Sequence, residues 1–181
     1  MSSASTTAGA RPDNWQKSAA RVVFGVIWAV DAGLKWTPAF RRDYLSLVSA
    51  AAQGQPAWLQ PWYHFWIALI SPRVGLFAYA TAITESVIAI ALILGFARKF
   101  AYILTALFSL MIWSTAEGFG GPYTAGATDV GTGIIYAMAA VFLLALNASA
   151  GTSRYSLDAW IERRLPWWRA VAELGPGRSP R

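Results

Sequence analysis

The stretch GLFAYATAITESVIAIALILGFARKFAYILTALFSLMIWSTAE, residues 75–117, decides how this chain folds. It holds two apolar runs, 75–96 and 100–117, joined by only Ala97, Arg98 and Lys99. Each run has about the ~20 residues that a helix needs to cross ~30 Å of hydrocarbon. A backbone in hydrocarbon must satisfy its own hydrogen bonds, so such runs are helices. Two further apolar runs, 18–36 and 130–148, flank this pair. The expectation is therefore an all-α integral membrane four-helix bundle spanning residues 17–150.

Composition agrees with that reading. Hydrophobic residues make up 56% of the chain and charged residues 13%, against about 25% charged in a typical soluble domain. The mean hydropathy is +0.40. There is no cysteine, which excludes a disulfide framework, thiolate-ligated clusters and cysteine redox chemistry in this chain. A single histidine, His64, excludes bis-histidine haem from this chain alone, and it reads better as an interfacial aromatic than as a ligand. No haem, flavin, iron–sulfur or metal motif is present. Residues 1–16 and 175–181 read as disordered tails.

The net charge of +6 belongs to the membrane flanks rather than to nucleic acid. Arg11, Lys17 and Arg21 precede or begin the first run, Arg98 and Lys99 fill the tight turn, and Arg154, Arg163, Arg164 and Arg169 follow the fourth. With four spans these lie on one side, which the positive-inside rule makes cytoplasmic. The expected location is the inner membrane of a prokaryote, with both termini inside. Residues 40–51, FRRDYLSLVSAA, form a short amphipathic helix at the outer interface. QPAWLQPWYHFW, with two prolines and three tryptophans, reads as a loop lying along the membrane surface. Residues 151–174 read as a cytoplasmic interfacial helix broken near Pro166.

Polar residues inside the runs are costly and usually face the bundle interior. In the first run Arg21, Gly25, Trp28, Asp31 and Lys35 fall within an arc of roughly 120°. Asp31 and Lys35 form an i,i+4 pair, structural or functional. Thr81 stacks on Glu85, Trp113 on Glu117, and Asp129 on Gly133 and Tyr136. Asp31, Lys35, Glu117 and Asp129 are expected to converge at the outer mouth, with Glu85 about 15 Å down and alone near mid-membrane. Asp129 also fits a helix N-cap, and Glu117 a helix end at the interface. Arg21 fits a snorkelling residue at the inner boundary. Gly131 and Gly133 belong to close helix packing rather than to a nucleotide loop.

Two stretches carry a family resemblance. RVVFGVIWAVDAGLKW, 21–36, and WSTAEGFGGPYTAGATDVGTGIIY, 113–136, resemble the first helix and the third-to-fourth helix segment of the DoxX/DoxD family of four-helix membrane proteins. The resemblance implies a quinone-reactive subunit that takes electrons from thiosulfate at the outer face, with a second subunit as partner. Under it, Glu85, Asp31 and Lys35 are the catalytic candidates. Trp28, Trp113, Glu117, Tyr136 and Asp129 are candidates for holding quinone. Arg41, Arg42 and Arg73 are candidates for holding the anionic donor. The alternative is a non-catalytic accessory or assembly subunit of a respiratory or other redox complex. Membrane lipid and a protein partner are the expected contacts.

Overall fold

The computed structural model describes residues 15–121, 130–150 and 155–174. The sequence expectations for residues 1–14, for Asp129 and most of the glycine-rich loop, for Arg154 and for residues 175–181 lie outside the described residues. Among the described residues every regular element is helical. The helices are α1 (Trp15–Lys35), α2 (Pro38–Ala51), α3 (Gln60–Ile70), α4 (Val74–Leu94), α5 (Arg98–Thr115), α6 (Thr132–Ala150), α7 (Leu157–Arg164) and α8 (Arg169–Ala172).

The four long helices α1, α4, α5 and α6 share one core. Phe24 and Trp28 meet Ile88, Ala89 and Leu92, and these pack with Tyr102, Ala106, Ala140 and Leu143. α1 packs chiefly on α4, and α5 chiefly on α6. Gly25 allows the first pairing to be close: a Cβ there would lie 2.9 Å from the backbone nitrogen of Ile93. α2 and α3 build a smaller cluster around Val48, Tyr63 and Ile70. The helical run Ala57–Leu94 is long and apolar enough to cross a membrane, and Thr132–Ala148 is apolar but shorter.

The bundle buries polar side chains beside its apolar core and is apolar outside. Its largest fully buried side chains include Arg21, Glu85, Arg98, Thr105, Ser109 and Asn147. Val26 and Val30 on α1, Ile83 and Val87 on α4, Leu107 on α5 and Met138 on α6 all stand exposed.

Two expectations are corrected. The segment QPAWLQPWYHFW is not a loop: it enters α3 through a 3₁₀ turn, Ala57–Leu59. Pro61 falls in the first turn of α3, where the missing N–H and fixed φ cost nothing. Pro72 sits likewise at the start of the 3₁₀ turn Ser71–Arg73 that leads into α4. Arg21 does not snorkel. It is 2% exposed and donates to the carbonyls of Leu92 and Ile93, which end α4, and to Tyr155 O at 2.7 Å. Those carbonyls have no partner within their own helix, so the guanidinium completes it.

The turn from α4 to α5 shows how one end of the bundle, called its inner end below, is closed. Gly95 is left-handed (φ +65°), and a Cβ there would lie 2.7 Å from Arg21 Nη1. Ala97 is also left-handed (φ 46°), a conformation that costs a residue with a Cβ roughly 1–2 kcal/mol. Asp158 holds it there. Its Oδ1 accepts from Ala97 N and from Trp168 Nε1, each at 2.8 Å. Its Oδ2 accepts from Arg98 N at 3.0 Å and Arg98 Nε at 2.9 Å. Asn147 on α6 donates to Ala172 O at 2.9 Å. The segment 155–174 is thus a clasp across the inner ends of all four long helices. Lys17 borders it; burial, then the nearby Arg98 charge, lower its pKa to about 8, against the pull of Glu173.

Candidate functional site

The half of the bundle away from the α4–α5 turn gathers polar side chains of its long helices. α1 contributes Trp28, Asp31 and Lys35. Lys35 Nζ donates to Asp31 Oδ1 at 2.9 Å and lies 4.0 Å from Glu85 Oε1 on α4. Glu85 is 0% exposed, and neither carboxylate oxygen has a hydrogen-bond donor. The expected isolation of Glu85 is therefore corrected: the long lysyl stem carries a cation down to it from the last turn of α1. Asp31 and Lys35 keep partial exposure, with side chains 32% and 22% accessible.

One turn before Asp31 on α1 lies the aromatic part of the core. Trp28 is 1% exposed, and its indole N–H has no acceptor. Its ring lies 5.4 Å from Tyr136 and 6.3 Å from both Phe24 and Phe108. The Tyr136 ring on α6 also lies 5.6 Å from Phe24, so α1 and α6 meet through their aromatic side chains here. Ser109 on α5 is buried and its hydroxyl is unpartnered. One turn before Glu85, Thr81 shares a 3.0 Å hydrogen bond with Tyr44 of α2. Burial raises the Tyr44 pKa most; the bond to Thr81 opposes this, and the charge of Glu85 adds to it.

Not every sequence candidate joins this cluster. Glu117 Oε2 accepts from Gly133 N at 2.7 Å, so it caps the first turn of α6 from the end of α5. Trp113 Nε1 donates to Val130 O at 2.8 Å, tying the same junction. Gly133 permits the close approach, since a Cβ would lie 2.7 Å from Ser109 O. Arg41 donates to Trp36 O at 3.1 Å and lies 5.2 Å from the Tyr79 ring centre. Arg42 and Arg73 are exposed. Among the described residues no hydrogen bond or ion pair joins Arg42 or Arg73 to the Lys35 cluster. His64 is exposed on α3.

Sequence reasoning passed over Ser109 and Tyr44. The spacing Thr105, Ser109, Trp113 was the available signal for Ser109, since residues four apart share a helix face. Tyr44 gave none, because its bond to Thr81 crosses from α2 to α4.

The chain matches no family model, no curated protein and no solved structure.

Proposed function

We propose that the chain is a membrane-spanning four-helix bundle whose polar centre holds a quinone headgroup. The membrane reading draws on the many large apolar side chains that stand exposed. Contiguous apolar faces on α1, α4, α5 and α6 would be an aggregation hazard in water and are natural against lipid. The basic residues Lys17, Arg21, Arg98 and Lys99 lie at one end of the bundle, which favours both termini on the cytoplasmic side.

One observation carries the site: Glu85 is fully buried, unpartnered by any donor, and 4.0 Å from a lysine. Unsatisfied buried polar groups cost stability and are kept at functional positions. The same bundle core offers groups that suit a quinone headgroup. Trp28 Nε1 and Ser109 Oγ are buried donors suited to a carbonyl oxygen. Phe24, Phe108 and Tyr136 offer ring faces and edges. When bound, a quinone supplies an acceptor for two electrons and two protons. In that setting Glu85 holds or gives a proton at its carboxyl oxygen. Lys35, already neutralised by Asp31, moderates the charge left on Glu85. Trp28 and Ser109 orient and Tyr136 walls the site from water.

Thiosulfate is the electron donor that the DoxX/DoxD resemblance implies. Its oxidation joins two anions and releases two electrons, and Arg41, Arg42 and Arg73 are the cations assigned to it. A second reading, an accessory subunit of a larger redox complex, is favoured by Glu117 and Arg41 being engaged in structural bonds. Purification in mild detergent, with mass spectrometry of extracted small molecules and co-purifying proteins, separates the two. A retained quinone without a large complex supports the first. A fixed set of cofactor-bearing proteins and no quinone overturns it in favour of the second.

A further inference from the structure

The inner end of the bundle carries a surface that the quinone site does not use. α7 turns its acids inward: Asp158 and Glu162, four residues apart, are buried against the bundle. Both face Arg98, at 2.9 and 3.5 Å, as does Glu173 at 3.9 Å. Its outward face bears Leu157, Trp160, Arg163 and Arg164, all exposed. The acids of the segment are spent on the interior while these two arginines point out, so the exposed face is positive.

That face is also aromatic. Trp160 is 50% and Trp167 62% exposed. The Arg164 guanidinium lies over the Trp160 ring, 4.2 Å from its centre. A guanidinium stacked by its face keeps its N–H groups in the plane, directed past the ring edge, where they suit a phosphate. Arg163 Nε donates to Ala159 O at 3.1 Å, which fixes that side chain along the helix. At the start of α5, Lys99 Nζ lies 4.9 Å from the Phe100 ring centre, a second base-on-aromatic pair at the same end of the bundle.

We propose that this face docks on anionic phospholipid headgroups of the leaflet at the inner end, with Arg163 and Arg164 receiving phosphate. The indoles of Trp160 and Trp167 then lie at headgroup level, where Trp is favoured, and anionic lipid attracts juxtamembrane bases. The inference rests on the membrane-spanning reading.

The test uses the full-length protein in nanodiscs of phosphatidylcholine alone or mixed with phosphatidylglycerol, then released into mild detergent for native mass spectrometry of retained lipid. The expected result is selective retention of phosphatidylglycerol. The Arg163→Gln/Arg164→Gln variant should lose about 25-fold in that preference, about fivefold for each arginine, and added salt should weaken it. Both side chains are exposed, so the heat midpoint in phosphatidylcholine discs should match the native protein, and the Lys/Lys variant should keep most of the preference. Equal retention of the two lipids, or an unchanged preference in the Gln/Gln variant, overturns the inference. So does complete displacement of the lipid by inorganic phosphate, which would mark a free-anion site. Failure to enter phosphatidylcholine discs overturns the membrane reading and this inference with it.

Discussion

Asp158 and Glu85 are both fully buried carboxylates, and their surroundings are opposite. Asp158 accepts four hydrogen bonds, two from backbone nitrogens, one from an indole and one from Arg98. Glu85 accepts none, and its one cation is 4.0 Å away and already bonded to Asp31. A buried charge is tolerable when donors surround it and costly when they do not. The inner carboxylate therefore stabilises the fold, while the outer one weakens it. Stability given up at a single buried position is what a working site requires.

The comparison breaks first at Asp158. Asp158→Ala leaves Arg98 buried beside weaker partners and removes the cap of α5. It should cost about 3–5 kcal/mol, read as a large drop of the heat midpoint in detergent. A midpoint within a degree of the native protein would mean that the clasp does not hold the bundle.

Glu117 sharpens the comparison, because it lies at the outer end yet behaves like Asp158. Glu117→Ala should cost about 1 kcal/mol through the lost cap on α6 and leave quinone retention intact. Loss of quinone with an unchanged midpoint would return Glu117 to the functional site.

Lys17 acts only through pH. Its lowered pKa means that the folded protein resists protonating it. The unfolded chain takes up that proton below about 10.5 and the folded protein only below about 8. Stability therefore rises with pH between those values. The heat midpoint should climb from pH 8 to pH 10.5, and less steeply in Lys17→Met. An identical climb in both proteins would show that Lys17 is not desolvated by the clasp.

Much of the bundle was legible because its signal is local. The arc of Arg21, Gly25, Trp28, Asp31 and Lys35 on α1 follows from helical geometry alone, and the structure turns Arg21, Gly25 and Trp28 inward along it. What was illegible depends on long-range placement. The prolines of QPAWLQPWYHFW read as breakers, since nothing local says that Pro61 falls in a first helical turn. YSLDAWIERR reads as an interfacial helix, and its acids gain a role only when it is laid against the α4–α5 turn, where Asp158 meets Ala97 and Arg98. The role of Arg21 was hidden for the same reason: its acceptors are carbonyls 71 and 72 residues away. In the sequence Asp129 fits the N-cap and Glu117 only a helix end at the interface, and only the bond to Gly133 shows Glu117 capping α6.

The most direct measurement is made on Glu85→Leu beside the native protein: heat midpoint and extracted quinone per chain, in the same mild detergent. A buried carboxyl group without donors is replaced by a side chain of similar size, so the midpoint should hold or rise, while quinone falls at least about tenfold, a loss of ~1.4 kcal/mol in binding. A lowered midpoint with quinone retained would contradict the account, making Glu85 a structural residue and placing any quinone site elsewhere.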